Sequence, residues 1–350
     1  MSAKENFTKE LPQSTFIDLQ RINELTELLY LNGWIAPSEK IVSVEKPGEG
    51  NMNFVVRVTT NTTSIIIKQS RPWVEKYPQI EAPANRIAVE AKFYSSLSKD
   101  NFFLTFCPKL LGFDKRNFLL AMEDLGEGTD YTFLYKKKST LEEDDLNTLL
   151  SFISHLHNSS ISDSTSFPDN RELKTLNHTH IFYYPYEEHN GFDLDAIQPG
   201  LQVISLPYKK NQSFKLSLKK LGEVYLQTHH VLIHGDYYPG SWLKSKSGIS
   251  VIDPEFAHFG KAEFDLGVMV AHLIMAQING SSIKKALELY KRPNDFDNQL
   301  FLQFCGVEIM RRIIGLAQLP LDLTLQEKTE LLDFAYRLIT LKTNSLFTEK

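Results

Sequence analysis

His234-Gly235-Asp236-Tyr237-Tyr238-Pro239-Gly240-Ser241, followed seventeen residues after Asp236 by Asp253-Pro254-Glu255, is the stretch from which the rest of the chain is read. An apolar run ends in the first acidic loop, and a short hairpin expected over Ser241–Lys246 and Gly248–Ile252 leads to the second. Each loop taken alone also fits a polar turn, because Asp and Gly are common turn formers. In this order they place three acids around one cleft, and phosphoryl transfer needs such acids. One orients an acceptor hydroxyl and the others hold Mg²⁺ against phosphates. Asp236 is then the expected base and Asp253 the expected metal ligand.

Upstream, the hydrophobic period changes twice. Residues 17–32 repeat Leu and Ile at helical spacing and stop at Asn32-Gly33, a pair suited to a left-handed helix end. Three β-rich runs follow, Ile41–Val44, Phe54–Val58 and Ile65–Ile67, broken by Pro47-Gly48-Glu49-Gly50-Asn51 and by Asn61-Thr62-Thr63; they predict an antiparallel meander. Pro83 suits a first helical turn, so Ala84–Leu97 is read as a helix carrying Arg86, Glu90 and Phe93. Two more strands are expected near Lys109–Phe113 and Phe118–Met122. Beyond Asp124 the period is mostly helical. Thr140-Leu141-Glu142-Glu143 fits a capping box opening a helix to Leu156, and further helices are expected over 214–226, 261–277, 297–318 and 325–341. The region 180–212 is too rich in Tyr, Pro and Asn to assign. The expected class is α+β: a five-stranded antiparallel sheet with one helix over residues 1–124, then a mainly helical lobe over 125–350.

Composition narrows the chemistry. The 350 residues, 42% hydrophobic and 23% charged, fall in the ordinary globular range. Lys and Arg number 38 against 43 Asp and Glu, a formal charge of -5, so no excess of positive charge exists to neutralise a nucleic-acid backbone. No stretch approaches the ~18 apolar residues of a membrane span, and the first eleven residues lack a signal-peptide core. Two cysteines, Cys107 and Cys305, are too few for a disulfide framework, which points to buried thiols in a reducing cytoplasm.

The small lobe adds three features. Gly48-Glu49-Gly50-Asn51 lies between two strands, where small residues let backbone N–H groups approach phosphates, although a plain hairpin has the same look. Lys68 closes the run Ile65-Ile66-Ile67, and Glu90 on the following helix is its candidate ion-pair partner for grounding α- and β-phosphates. Neighbouring Arg311 and Arg312 lie about 100° apart on a helix. Among apolar neighbours at least one of them needs a partner, either an acidic loop or a transferring phosphoryl group.

The glycine turn, Lys68, Glu90, Met122-Glu123-Asp124-Leu125, the His-Gly-Asp loop and Asp-Pro-Glu resemble, in order and spacing, the aminoglycoside phosphotransferase and choline kinase-like superfamily. Within it, four details are similar to the 5-methylthioribose kinases: Ser241 after Gly240, the run Asp253-Pro254-Glu255-Phe256-Ala257, the segment Gly306–Ala317, and Lys68-Gln69-Ser70-Arg71-Pro72-Trp73-Val74. The resemblance runs from about residue 15 to 340 and implies a bilobal, protein kinase-like fold with a nucleotide-binding N-terminal lobe and an inter-lobe hinge near 122–125. It implies ATP and Mg²⁺ as cofactors. By the same resemblance, Gly50, Asn51 and Asn53 lie near the phosphates with Lys68 and Glu90, and the backbone of Glu123 and Leu125 binds adenine. Asp236 faces the acceptor hydroxyl, and Asp253 with Glu255 holds metal. Trp73, Arg311 and Arg312 belong to the acceptor side, the arginines contacting the sugar and the transferring group.

The implied activity is ATP- and Mg²⁺-dependent phosphorylation of a sugar hydroxyl, with 5-methylthioribose as acceptor in methionine salvage. An amino alcohol, a hydroxy amino acid or an aminoglycoside is the alternative acceptor, which the aromatic segment Phe182, Tyr183, Tyr184 and Tyr186 keeps open as a seat for a cation. A nucleotide-binding pseudokinase is the third reading, for which Ser241 speaks and Lys68, Asp236 and Asp253 speak against. Tyr237 and Tyr238 depart from the family pattern and are expected to alter the floor near the acceptor. Expected partners are a small-molecule acceptor and neither nucleic acid nor membrane; a homodimer is left open.

Overall fold

A computed structural model describes residues 2–48, 50–161 and 166–341. The chain opens with a helix not anticipated from the sequence, Ala3–Glu10 (α1), started by a capping box between Ser2 and Glu5. The next helix, Ile22–Leu31 (α2), begins later than the spacing suggested. Ile17 is buried, but its N–H donates to Gln69 Oε1 (3.1 Å) and does not enter a helical turn. The helix ends as expected at Asn32 and Gly33, the glycine at φ 67°.

Strands Ile41–Glu45 (β1), Phe54–Thr60 (β2) and Ser64–Gln69 (β3) form the meander, and a short ribbon that was not foreseen, Trp73–Val74 (β4) with Tyr77–Glu81 (β5), follows it. After Arg86–Leu97 (α3), strands Leu110–Asp114 (β6) and Leu119–Glu123 (β7) complete an antiparallel sheet in the order β1-β2-β3-β7-β6. Alternation decides what each face carries. Phe54, Val56, Val58, Ile65, Ile67, Leu119 and Ala121 join Leu25, Leu28 and Leu29 of α2 in one core. Each Val, Leu, Ile or Phe side chain among them contributes roughly 1.5–3 kcal/mol relative to exposure. Lys68 has the opposite parity to Ile65 and Ile67, so it leaves this core for the face where α3 brings Glu90.

Further along lie Gly128–Asp130 (β8), Glu143–His157 (α4), Arg171–His178 (α5), Leu201–Lys210 (α6), Gln212–Leu226 (α7), Val231–Ile233 (β9), Trp242–Ser245 (β10), Gly248–Val251 (β11), His258–Gly260 (β12), Ala262–Met275 (α8), Gly280–Leu289 (α9), Asn298–Ile314 (α10) and Leu325–Thr340 (α11). The capping box expected at Thr140–Glu143 is absent. α4 is preceded by Glu142, which makes no side-chain cap, and Glu143, Asp144 and Asp145 instead put negative charge at its positive end. Besides the one at α1, a capping box opens α11, between Thr324 and Glu327. Among the described residues no helix is long and apolar enough to cross a membrane.

The described chain resolves into two compact units. Residues 2–128, 166–173 and 245–257 form the first, and residues 129–161, 174–244 and 258–341 the second. Within the second unit, β9 pairs antiparallel with β12, and α8 and α10 are buried along nearly their whole length. Gly267 of α8 permits this close crossing, since a Cβ there would come within 2.9 Å of the Cys305 backbone nitrogen in α10. Cys305 is buried, whereas Cys107, also expected to be buried, is partly exposed; both are free thiols.

Candidate active site

In the first unit, Lys68 Nζ donates to Glu90 Oε1 at 2.6 Å and also to Asp253 Oδ1. Burial alone would lower the lysine's pKa, but Asp253 and Glu90 reverse this and hold the ammonium well above its ordinary value. Glu90 is fully buried, while the Asp253 side chain is 47% exposed. Asp253 adopts a left-handed backbone (φ 61°, ψ 46°). For a residue other than glycine this costs roughly 1–2 kcal/mol, and such strain collects at functional positions.

Glu255, two residues on, points elsewhere. Its Oε2 accepts from Asn53 Nδ2 (3.0 Å) and lies 3.2 Å from Arg86 Nε, with the side chain only 7% exposed. Burial pushes its carboxyl up to about 8, Arg86 pulling the other way and Glu90 and Asp253 adding to the rise. Arg86, given no role by the sequence reading, donates to the carbonyls of Arg71, Pro83, Met52 and Trp73, tying α3 to the glycine turn and the β4–β5 ribbon. Its spacing of four residues from Glu90 on one helix was the available signal.

Asn53 is buried and also accepts from Ser70 Oγ at 3.0 Å, so its side chain is spent within the protein. Asn51 is exposed, and its carbonyl accepts from Lys76 N at 3.0 Å. Gly50 must be glycine: a Cβ would sit 2.4 Å from the Asn53 carbonyl oxygen. Glu49 lies outside the described residues. Glu123 ends β7 with its N–H donating to Lys109 O (2.9 Å), and Leu125 follows in a segment pinned by Asp124. Asp124 accepts from Arg57 (2.8 and 3.0 Å), Ser64 Oγ (2.6 Å) and Gly126 N (3.0 Å). Trp73, expected on the acceptor side, is instead a core residue packed with Phe7 and Phe16; α1, unseen in the sequence, supplies part of the cover.

The second unit holds a different cluster. Asp236 Oδ1 accepts from Arg312 Nη2 at 3.2 Å, and its side chain is 20% exposed. Burial pushes this carboxyl up, opposed by Arg312 and Arg311. Arg311 and Arg312 do not find an acidic loop as their main partner. Both turn onto Glu308, one helical turn earlier in α10: Arg311 Nη1 to Oε2 at 3.1 Å, and Arg312 Nε to Oε1 at 2.6 Å. The 100° offset is absorbed by the length of the two side chains. His272 of α8 is fully buried with Nε2 3.0 Å from Glu308 Oε1 and Nδ1 2.6 Å from Tyr135 Oη.

The loop carrying Asp236 is anchored from below. Asp265 of α8 accepts from the backbone N–H of His234 (2.7 Å) and Gly235 (2.9 Å), and His157 Nε2 lies 3.3 Å from it. Gly235 takes a positive φ of 82° in the same turn. Tyr237 is fully buried with its hydroxyl donating to Leu149 O (2.9 Å), so it braces the loop from within the core and is no part of an acceptor floor. Tyr238 lies instead beside the arginine that contacts Asp236, its ring under the Arg312 guanidinium at 4.8 Å. Ser241 Oγ is spent on the Asp236 carbonyl at 2.9 Å. Phe182 and Tyr186 are core residues, leaving Tyr183, 60% exposed, as the open ring of that aromatic segment.

Among the described residues no three His, Cys, Asp or Glu side chains converge as a ready metal cage. The half-exposed oxygens of Asp253 nevertheless suit a hard cation such as Mg²⁺, which takes one or two carboxylates and completes its shell with water and phosphate oxygens. Residues 43–297, which include Lys68, Glu90, Asp236 and Asp253, match the phosphotransferase enzyme family. The chain belongs to this phosphotransferase enzyme family.

Relatives of this phosphotransferase include methylthioribose kinase 1 of Oryza sativa subsp. japonica, 26% identical over 255 residues. That match covers 67% of this chain but only 56% of the rice protein, little more than half its length. Methylthioribose kinase of Pectobacterium carotovorum subsp. carotovorum (strain PC1) is 25% identical across 88% of each chain. Among solved structures, spectinomycin phosphotransferase in complex with ADP and spectinomycin superposes with a TM-score of 0.54 at 16% identity, over 93% of this phosphotransferase and 99% of that chain. Choline kinase LicA from Streptococcus pneumoniae gives 0.53 at 12% identity, over 91% and 99%. These structures share the fold, the protein kinase-like arrangement expected from the sequence.

Proposed function

We propose that the chain is an ATP- and Mg²⁺-dependent small-molecule kinase that transfers the γ-phosphoryl group to a sugar hydroxyl, with 5-methylthioribose as acceptor and its 1-phosphate as product. The observation that carries this reading is Lys68 held between Glu90 and Asp253, a phosphate-grounding lysine with a carboxylate open beside it. In this reading Lys68 moves from Asp253 to the α- and β-phosphates while Glu90 keeps it aimed. Asp253, with Glu255 behind it, holds Mg²⁺, which when bound offsets phosphate charge. Gly50, Asn51 and Asn53 line the phosphates, and the backbone of Glu123 and Leu125 in the hinge segment receives adenine. Asp236 orients the acceptor hydroxyl and accepts its proton; Arg312 and Arg311 offset charge on the transferring group.

The acceptor assignment is supported by the names of the relatives and by the two buried arginines beside Asp236, which disfavour a cationic acceptor. The withdrawal of Phe182 and Tyr186 into the core removes half of the aromatic seat such a cation would use. Two free thiols suit a reducing cytoplasm, the proposed location.

The test is ADP release by the purified protein with Mg-ATP, comparing 5-methylthioribose with ribose, choline, homoserine and an aminoglycoside. Stimulation by 5-methylthioribose alone is expected. Stimulation by another acceptor overturns the substrate, and tight ATP binding with no acceptor turned over overturns the activity.

A further inference from the structure

Two adjacent residues on a helix diverge, yet Arg311 and Arg312 meet at one point because Glu308 gives each a separate oxygen. Glu308 is only 1% exposed, and one of those oxygens also faces His272 Nε2. We propose that Glu308 and His272 are positioning residues that hold the arginine pair in place for the acceptor, with His272 in its neutral form carrying the proton on Nε2. This rests on the acceptor-side reading given above.

The tautomer follows from the partners. Burial alone would raise the Glu308 carboxyl, but Arg311 and Arg312 more than reverse this and keep it ionised. An ionised carboxylate accepts only, so the ring nitrogen 3.0 Å away must donate. His272 itself is pushed down to about 4, by burial first and with both arginines adding to the shift, so it carries a single ring proton at neutral pH. That proton is on Nε2, and bare Nδ1 accepts from the Tyr135 hydroxyl at 2.6 Å.

Arg312 is consequently fixed on three sides: Nε on Glu308, Nη2 on Asp236, and its face over the Tyr238 ring, which also packs at a tilt against the His272 ring at 5.1 Å. Among the described residues Arg311 is held at Nη1, and its buried Nε has no hydrogen-bond partner. An unspent donor there is costly unless a ligand oxygen completes it, so the network is built around an incoming acceptor.

Steady-state kinetics of Glu308→Gln and Glu308→Asp test the proposal. Acceptor KM is expected to rise about tenfold or more in both, as loss of a charge-assisted bond implies, while ATP KM stays within about twofold. His272→Gln, whose amide nitrogen can stand in for Nε2, should keep acceptor KM near wild type, and His272→Leu should not. An unchanged acceptor KM in Glu308→Gln, or equal loss with both His272 variants, overturns the proposal. Nitrogen NMR of the wild-type imidazole provides a readout independent of turnover: protonated Nε2 supports the assignment, and protonated Nδ1 overturns it. If the wild type turns over none of the acceptors, the kinase reading fails while this spectroscopic test still decides the tautomer.

Discussion

Lys68 in the first unit is one cation held between two carboxylates, whereas Glu308 in the second is one carboxylate held between two guanidiniums. In both, the central charge is buried and the working group is further out: the side chain of Asp253 is 47% exposed and that of Asp236 20%. Under the proposed function the first cluster serves the phosphates and the second the acceptor. A lysine-centred cluster has an acid to spare, which attracts a cation carrying phosphates; a carboxylate-centred cluster has N–H donors to spare, which attract hydroxyl and phosphoryl oxygens. Burial opposes the charge at each centre and the neighbours maintain it, so removing one member of either cluster exposes the cost of the rest.

The largest effect should come from the working group of the second cluster. Asp236→Asn keeps the shape and the Ser241 contact to the backbone but cannot take a proton. Turnover is expected to fall about 10³-fold or more, with ATP affinity measured by calorimetry unchanged. Turnover near wild type would remove Asp236 from the mechanism and leave the comparison without its acceptor side.

Next comes the centre of the first cluster. Lys68→Met leaves the fully buried Glu90 without its cation and should destabilise the fold by about 3–5 kcal/mol in urea unfolding. Adding Glu90→Gln should recover a large part of that loss, because the uncompensated charge is gone. If the double variant is no more stable than the single, Lys68 and Glu90 do not form a coupled pair, and the symmetry with Glu308 fails.

The sequence made the outer frame legible because each of its parts is local. The β-rich runs Phe54–Val58 and Ile65–Ile67, bounded by turn residues, report the strands directly, whereas the face that Lys68 takes is read from the alternating burial of the folded strands. Asp236 and Asp253 sit in loops whose spacing survives without any tertiary information. What escaped is long-range. The role of Arg86 depends on Glu255, and that of His272 on Glu308, partners 169 and 36 residues away that no local period announces. Helix α1 escaped because it buries a single residue, Phe7, too little for a hydrophobic stripe. Trp73 was misplaced for the related reason that its covering helix was not seen.

A smaller effect separates the two clusters by pH. His272 has a folded pKa lowered to about 4, against about 6.5 when unfolded, so between those values the unfolded chain binds more protons. Its contribution is fully present above about 6.5 and is lost as pH falls toward 4, a change on the order of 3 kcal/mol. The groups that face it are Glu308, Arg311 and Arg312 from α10, together with Tyr135 and Tyr238, and the arginines disfavour a second proton on the ring. Lys68 behaves oppositely: its pKa is raised on folding, so its contribution is full below about 10.5 and is lost only as pH rises beyond that. Acid should therefore loosen the carboxylate-centred cluster first, and alkali the lysine-centred one. Unfolding midpoints of wild type and His272→Gln between pH 4 and 7 check this, since the variant lacks the titrating ring and should show the flatter profile. Parallel profiles would mean that His272 is not held neutral by its burial and its two arginine neighbours, and the acid sensitivity of the second unit would have to come from elsewhere.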